Sequence, residues 1–238
     1  MYSRIKQGWK QASEDLAGTD AFWNRSALTY SLVRDLKRRS LLPEHVRGHV
    51  LDAGAGKLPY RHLAKPLAEE YQSLDFKPTH PELDFLGDIQ RMPIENERFD
   101  TVLSFEVIEH VPDPRQALAE VYRVLKPGGK LVMSVPHLMY LHNEPDDYYR
   151  YTKYGLRVLL EGAGFTVLFI EPSGGLFCFL QGLVDTTLVG LTYKRPIIWP
   201  IVYYINYALA RAMDWLDRHT DKKKIFALHY IAVAQKPN

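Results

Sequence analysis

The chain contains a single cysteine, Cys178, among its 238 residues. One cysteine excludes an internal disulfide and is typical of proteins that work in a reducing compartment. The residues around it, GLFCFLQG, are mostly apolar, so Cys178 is predicted to be a small buried side chain rather than a nucleophile. The sequence therefore favours a cytoplasmic protein.

An excess of charge of either sign is also lacking. The chain has 30 Lys and Arg residues against 28 Asp and Glu residues, and its formal net charge is +2. Proteins that bind nucleic acid usually show a strong basic excess. No nucleic-acid partner is therefore expected.

Long apolar runs are missing too. The first residues, MYSRIKQGWKQASEDLAG, have no apolar core of the kind found in a signal peptide. Two later stretches fall short of the ~20 apolar residues that a spanning helix needs. LFCFLQGLVDTTLVGL is interrupted by Gln181 and Asp185, and IIWPIVYYINYALA is followed by Arg211 and Asp214. We expect helices in 176–216 that pack on a core or lie on a membrane surface rather than cross it.

From about residue 48 onward, short apolar runs alternate with segments of helical periodicity. GHVLDAGAG, YQSLDF and FDTVLSFEV are typical of strands, whereas RHLAKPLAEEY and PRQALAEVYRVLKPGG are typical of helices. This alternation predicts an α/β protein with a Rossmann-like, mostly parallel sheet. We expect a single domain, 1–238, with a helical N-terminal extension, 1–47, and an apolar helical insertion, 173–224, before the last strand.

A glycine-rich loop, VLDAGAGKLPY, follows the first predicted strand. A dinucleotide site would show G-x-G-x-x-G there, with a pyrophosphate at the next helix N-terminus. Here the third glycine is absent, and Asp52 precedes Gly54 and Gly56. A carboxylate disfavours a phosphate and favours a cationic amine, so the loop indicates S-adenosylmethionine (SAM) rather than a nicotinamide cofactor.

Two further acids follow later strands. Asp75 ends the second predicted strand, close to the ~20-residue offset at which an acid takes ribose hydroxyls. Asp88 ends the third, where a carboxylate could accept from an adenine amino group. Each acid alone could be a turn residue or a helix cap. Acids at three successive strand ends, together with the glycines, favour a nucleoside ligand.

The sequence from about Val50 to Phe169 resembles a known family. It is similar to the class I SAM-dependent methyltransferases of the branch related to ubiquinone and menaquinone biosynthesis, also called type 11. The resemblance rests on VLDAGAGK, on GDIQRMPIENERFDTVLSFEVIEHVPDPRQALAEVYRVLKPGGKLVMSVP, and on the GF before the sixth strand. It implies a seven-stranded sheet whose antiparallel last strand is FALHYIAVAQKP.

The resemblance also implies roles for individual residues. Asp52, Gly54 and Gly56 would meet the methionine end of SAM, Asp75 the ribose and Asp88 the adenine. Phe105 would pack near the adenine. The chain departs from the family at Leu58, where many relatives have a third glycine.

The segment SFEVIEHV, 104–111, holds Glu106, Glu109 and His110, and three interpretations of it stay open. The cluster could satisfy backbone donors at the next helix, or His110 or Glu106 could orient substrate or remove a proton. It could also bind a divalent cation, as in the similar Glu-x-x-Glu-His sites of small-RNA terminal 2′-O-methyltransferases and some ubiquinone-pathway O-methyltransferases, with His137 or His142 as a further ligand. We favour metal-independent catalysis and assign no metal.

The loop HNEPDDYYRYT follows the fifth predicted strand and carries His142 with tyrosines and an arginine. Such a loop is suited to a polar, hydroxylated acceptor. We therefore name His110 and His142 as candidate catalytic residues. The expected activity is SAM-dependent O-methylation of a small or lipid-linked acceptor, such as a quinone precursor or a glycan.

Two alternatives to this activity are kept. One is a metal-assisted O-methyltransferase that uses Glu106, Glu109 and His110, and the other is a non-catalytic scaffold with the SAM fold. Aromatic and basic residues lie beside the apolar stretches, as at a lipid interface. The expected partners are thus a small-molecule or lipid-linked substrate and a peripheral contact of 176–216 with the inner face of a membrane.

Overall fold

The structure is a computed structural model that describes residues 2–38, 41–221 and 223–238. Its contacts divide the chain into two compact units. The helical unit comprises Met1–Arg39 and Ser173–Leu228, and the sheet unit comprises Ser40–Pro172 and His229–Asn238. Parts of the predicted extension and insertion, including Lys222, lie outside the described residues. What is described of the insertion falls in the helical unit, together with the first part of the extension.

The described strands of the sheet unit form one sheet in the order β3-β2-β1-β4-β5-β7-β6. The pairs β1–β2, β1–β4, β2–β3 and β4–β5 are parallel, whereas β5–β7 is antiparallel. The predicted seven-stranded sheet with an antiparallel last strand is confirmed. The strands are β1 (His49–Ala53), β2 (Glu70–Asp75), β3 (Phe85–Leu86), β4 (Phe99–Phe105), β5 (Leu125–Pro136), β6 (Thr166–Ser173) and β7 (His229–Gln235).

The helices of the sheet unit are α4 (Leu41–His45), α5 (Arg61–Ala64), α6 (Pro114–Val124) and α7 (Lys153–Gly162). The longer helix predicted over RHLAKPLAEEY is wrong. Only α5 and a 3₁₀ turn, Lys65–Leu67, form there. Pro66 lacks the N–H that an α-helix requires and disfavours helical backbone at the residue before it, and β2 already begins at Glu70.

The core of the sheet unit lies around the central strands. Leu51 of β1, Val102 and Leu103 of β4, and Leu131 and Val132 of β5 are fully buried. Such continuous apolar runs are typical of parallel strands covered on both faces. The buried strands leave their carboxyl ends, rather than their faces, for polar residues.

The helical unit contains α1 (Tyr2–Leu16), α2 (Asp20–Asn24), α3 (Ala27–Arg38), α8 (Leu176–Thr192) and α9 (Ile198–Thr220). Helices α1 and α8 approach most closely at two glycines. A Cβ on Gly8 would lie 2.0 Å from the carbonyl oxygen of Gly190. Within the described residues, none of the helices has both the length and the apolar character needed to cross a membrane.

Buried carboxylates join the helices of this unit. Asp217, near the end of α9, accepts hydrogen bonds from the backbone N–H groups of Phe177 (2.8 Å) and Cys178 (2.9 Å) at the start of α8. Asp185 of α8 accepts from the N–H of Ala27 (2.8 Å) at the start of α3. These groups replace the missing intrahelical partners of the first helical turn. The contact with Asp217 also shows that α8 and α9 are antiparallel.

Replacing Asp217 should destabilise the protein strongly. In Asp217→Ala, the two buried N–H groups at the start of α8 lose their acceptor, and we expect a loss of about 2 kcal/mol in the free energy of unfolding. Urea denaturation followed by circular dichroism measures it. Glu161→Ala, on the exposed side of α7, is the control and should change stability much less. Equal effects of the two substitutions would contradict this role of Asp217.

Candidate functional site

The candidate site lies at the carboxyl ends of the parallel strands. Asp52 is the penultimate residue of β1, Asp75 ends β2 and Phe105 ends β4. Strand β5 pairs with β4 so that Ser134 lies opposite Phe105. Open α/β sheets bind ligands at this edge, and most of the residues predicted from the sequence converge there.

Asp52 is held in a buried position. Its side chain is 2% exposed, and its carboxylate accepts a hydrogen bond of 2.6 Å from the Tyr71 hydroxyl. Burial raises the pKa of Asp52 to about 6, the bond from Tyr71 opposes the rise, and the charge of Asp75 adds to it. A cationic group beside Asp52 would relieve this cost by stabilising the carboxylate.

The glycine-rich loop is tied to the end of β2 by Asp75. One carboxylate oxygen accepts from the N–H of Gly56 (2.8 Å) and the other from the N–H of Lys77 (3.0 Å). Gly54 has φ +84°, and a Cβ there would lie 2.5 Å from the side chain of Val107. Gly56 has φ +52°, and a Cβ there would meet nothing within 4 Å. The loop thus needs glycine for its backbone and leaves open space at Gly56.

Leu58, the departure from the family pattern, also has a left-handed backbone. Its φ is +57°, a conformation that costs a residue with a Cβ about 1–3 kcal/mol. The side chain is buried, and its N–H donates to the carbonyl of Ala55 (2.8 Å). The loop therefore keeps the turn that a glycine would make, and burial of the leucine side chain offsets the strain.

Asp88 and Phe105 lie apart from these contacts. Asp88 is exposed, and its carboxylate accepts from the backbone N–H of Gln90 (2.8 Å). In the part of the chain that is described, no hydrogen bond or ion pair joins it to Asp52 or Asp75. Phe105 is buried, with its ring centroid 4.6 Å from that of Tyr60, which follows the glycine loop. The contacts bring the loop, Asp52 and Asp75 together, and they leave Asp88 in a turn beyond β3.

Glu106 begins the acid cluster and faces β5 and β7. Its carboxylate accepts from the Ser134 hydroxyl (2.7 Å) and lies 3.0 Å from Nδ1 of His229. The residue has a left-handed backbone, with φ +55°. Burial alone would raise the pKa of Glu106, but the charge and hydrogen bond of His229, with the bond from Ser134, hold it below its usual value. Glu106 is thus an anion with its partners already in place.

Glu109 is in the opposite situation. Both oxygens of its fully buried carboxyl group lack a hydrogen-bond partner among the described residues. Burial and, after it, the negative charge of Glu106 raise the pKa of Glu109 well above its usual value. A buried polar group without a partner is costly and calls for an explanation in function or in a bound species.

Two histidines lie beside Glu109. Nε2 of His110 is 3.6 Å from a Glu109 oxygen, and the rings of His110 and His142 are 4.8 Å apart. Ligand atoms of Glu109, His110 and His142 all lie within 4.8 Å of one another. Because Nδ1 of His110 contacts the carbonyl oxygen of Asp146, that nitrogen carries the proton and Nε2 keeps a lone pair in the neutral ring.

The segment after β5 is fixed by an arginine–aspartate pair. Arg150 donates two hydrogen bonds to Asp147, of 2.6 and 2.8 Å, and Asp147 accepts from the N–H of His142 (2.7 Å). Burial would raise the pKa of Asp147, but these hydrogen bonds and charges lower it to about 2. The N–H of Tyr148 donates to the carbonyl of Glu109 (2.9 Å). These contacts position His142 against His110.

His142 is suited to accept a proton. Burial lowers the pKa of His142, the nearby His110 lowers it further, and Asp147 and Glu106 oppose the change. The ring is therefore neutral near pH 7. His137, the other histidine considered in this loop, is not part of the cluster, since its Nδ1 donates to the carbonyl of Tyr151 (2.9 Å).

The helix-capping interpretation of SFEVIEHV does not hold for α6. The cap of α6 is Asp113, whose carboxylate accepts from the N–H groups of Arg115 and Gln116, both at 3.1 Å. Glu109 accepts no such bond. Sequence reasoning also missed His229, Ser134 and Asp147 as partners of the cluster. His229 starts a strand far along the chain, and no local pattern links it to Glu106.

Part of the chain is similar to known proteins. A family described as a methyltransferase domain, type 11, matches residues 51–133. The ubiquinone biosynthesis O-methyltransferase of Pseudomonas entomophila is 35% identical over 102 residues, which cover 41% of this chain and 42% of that protein. An uncharacterized 37.1 kDa protein in a Streptomyces fradiae transposon is 53% identical over 51 residues, 21% of this chain and 15% of that protein. The chain thus spans less than half the length of these curated relatives.

Solved structures share the fold. A phosphoethanolamine N-methyltransferase of Haemonchus contortus, in complex with phosphomonomethylethanolamine and S-adenosylhomocysteine, has a TM-score of 0.58 at 18% identity and covers 96% of this chain and 57% of that one. The [4+2]-cyclase SpnF has a TM-score of 0.57 at 19% identity and covers 84% of this chain and 80% of that one. Residues 51–133 thus match the type 11 methyltransferase domain, and the chain shares its fold with the solved methyltransferase structure.

Proposed function

We propose that the protein transfers the methyl group of SAM to a hydroxyl group of a small acceptor. The observation that carries the proposal is the position of Glu109, His110 and His142, a cluster built on the turn directly after β4. That turn is at the same sheet edge as the glycine loop. A methyl donor in the loop and a base or metal ligand beside it are what methyl transfer to a hydroxyl needs.

The loop end of the site supports the binding of SAM. Asp52 offers a buried carboxylate to the ammonium group of the methionine end, and Gly54 and Gly56 let the backbone approach it. Each carboxylate oxygen of Asp75 already accepts one hydrogen bond, from the N–H of Gly56 in the loop or from the N–H of Lys77. The remaining lone pairs are suited to accept hydrogen bonds from ribose hydroxyls. Asp88 and Phe105 are assigned to the adenine end by resemblance to the family.

The cluster supports the chemical step. An acceptor hydroxyl oxygen attacks the methyl carbon, the carbon–sulfur bond breaks, and the hydroxyl proton passes to a base, which leaves S-adenosylhomocysteine and a methyl ether. The neutral ring of His142 is our candidate for that base, and His110 with Asp147 positions it. The ubiquinone-pathway relatives support a hydroxyl acceptor such as a quinone precursor, and a lipid-linked glycan is the other acceptor class we consider.

A metal-assisted version is a second candidate, favoured by the unpartnered carboxyl group of Glu109. Carboxylate and imidazole donors suit Mg²⁺, Mn²⁺ or Zn²⁺, so the residues fit an ion. Glu109, His110 and His142 would hold it, whereas Glu106 is already engaged by Ser134 and His229. A divalent ion at this place would lower the pKa of a bound hydroxyl.

SAM binding should weaken in acid because of Asp52. The pKa of Asp52 is raised to about 6, so protonation below that value removes the charge that attracts the ammonium group. We expect the affinity measured by calorimetry to fall about tenfold from pH 7 to pH 5. Asp52→Asn should bind weakly at both pH values, and the exposed control Glu161→Gln should behave as wild type. An affinity independent of pH in the wild-type protein would contradict this role.

Removing either histidine of the cluster should abolish activity and spare SAM binding. In His142→Ala and His110→Ala, methyl transfer from labelled SAM to catechol, a soluble hydroxylated probe, should fall by about 10²–10⁴-fold. The matched control is His137→Ala, in the same segment but outside the cluster, which should keep most of the activity. If the wild type binds SAM and methylates neither catechol nor any other hydroxylated probe, the scaffold alternative gains support. Wild-type turnover in both cluster variants would remove the catalytic assignment.

Thermal unfolding distinguishes the metal-assisted version from a simple base. If an ion binds, adding Mg²⁺, Mn²⁺ or Zn²⁺ to chelator-treated protein should raise the unfolding temperature, because a ligand at 100 times its Kd stabilises by about 2.7 kcal/mol. Glu109→Gln should abolish the increase, and Glu161→Gln should not. Activity should disappear with the chelator and return with the same cation. No thermal shift with any of the three cations, and activity unchanged by chelation, would leave the metal-free base.

A further inference from the structure

The outer side of α8 and α9 is rich in exposed apolar side chains. On α9 the exposed side chains recur at the helical spacing of three and four residues, and Tyr204 is 68% exposed. The turn between the helices adds Ile197, which is 78% exposed. The exposed apolar residues of this surface are Leu180, Leu183, Val184, Ile197, Ile198, Ile201, Tyr204, Ile205, Tyr207, Leu209 and Trp215. We call them the outer apolar stripe.

The inner side of the same two helices carries several buried polar side chains among small and apolar residues. Asp185, Asn206, Asp214 and Asp217 are buried, each no more than 1% exposed. Asp185 and Asp217 cap neighbouring helices, Asp214 forms an ion pair with Arg34, and Asn206 donates to the carbonyl of Arg25. A helix on a water-soluble protein normally shows the opposite pattern, with its apolar side inward. The inversion indicates that the outer apolar stripe has an apolar partner.

The charges around the stripe are basic. Three of the four acids in 173–228 are Asp185, Asp214 and Asp217, and all three are buried. Arg195 in the turn and Lys223 after α9 are exposed. Lys194 is also exposed but pairs with Asp15 (2.8 Å). Among the exposed charges of 173–228 the basic ones therefore predominate, which complements an anionic surface.

We propose that the outer apolar stripe binds the surface of an anionic lipid membrane, with α8 and α9 lying in the plane of the interface. Aliphatic side chains would enter the acyl boundary, the rings of Tyr204 and Trp215 would lie at the headgroups, and Arg195 and Lys223 would contact lipid phosphates. This binding mode needs no spanning helix, in keeping with the lengths and composition of the described helices. The proposal does not depend on methyl transfer.

Vesicle co-sedimentation of the full chain, purified without detergent, tests this proposal. The protein should pellet with vesicles of phosphatidylcholine containing roughly one-third phosphatidylglycerol and bind phosphatidylcholine alone more weakly. The pair Ile201→Glu and Ile205→Glu should lower the partition coefficient at least about tenfold, and Arg195→Glu should lower it about fivefold. The matched control is Val158→Glu on α7, at a side chain that is 69% exposed, and it should leave binding unchanged.

Circular dichroism checks that the variants are folded, and sedimentation velocity measures whether the protein is a dimer without lipid. If the Ile201 and Ile205 pair disturbs the fold, Tyr204→Glu replaces it, because that side chain has little packing to lose. The proposal is overturned if the wild type does not bind anionic vesicles, or if Val158→Glu lowers binding as much as the Ile201→Glu and Ile205→Glu pair does. A lipid-free dimer that these substitutions dissociate, with no vesicle binding, would show instead that a second copy of the chain covers the stripe.

Discussion

The parallel pairing of β1 with β2 and β4, and of β4 with β5, is the constraint on which the site depends. Parallel strands end at one edge, and most residues of the central strands β1 and β4 are buried. The ends of these strands therefore offer the place where polar residues can meet a ligand. That geometry places Asp52, Asp75, Phe105 and the turn that carries Glu109 at the same edge of the sheet. The chemistry of each residue depends on which neighbours the next strand brings to it.

The two glutamates after β4 illustrate the point. They are three positions apart and chemically identical, yet the pKa of Glu106 lies below its usual value and that of Glu109 far above it. The difference comes from β5 and β7, which supply Ser134 and His229 to the first glutamate and nothing to the second. The negative charge is thus held on the carboxylate of Glu106, and the neighbouring carboxyl group of Glu109 remains available for a further partner.

Much of the sheet and of the loop could be predicted from the sequence because the signals are local. Strand runs, glycines and the acids after strands are recognised within a few residues, and the seven-stranded sheet with its antiparallel last strand follows from the resemblance to the family. The pairing of Glu106 with His229 spans 123 positions. The sequence also left open whether His137 or His142 would be the further ligand, because that depends on how Asp147 and Arg150 hold the loop. The helix predicted after the glycine loop failed at Pro66, where local chemistry outweighed the apolar pattern. The inverted polarity of α8 and α9 also could not be read from sequence, since it depends on which side each helix buries.

The left-handed backbone of Glu106 restricts what evolution can place there. Glycine would adopt the conformation without strain but would remove the carboxylate that His229 and Ser134 hold. Asparagine and aspartate tolerate this backbone better than most residues, but each is one methylene shorter and would fall short of the same two partners. Other side chains would meet the conformational cost and lose the hydrogen bonds as well. Two independent demands, one on the main chain and one on the side chain, therefore leave this position very little room for neutral drift.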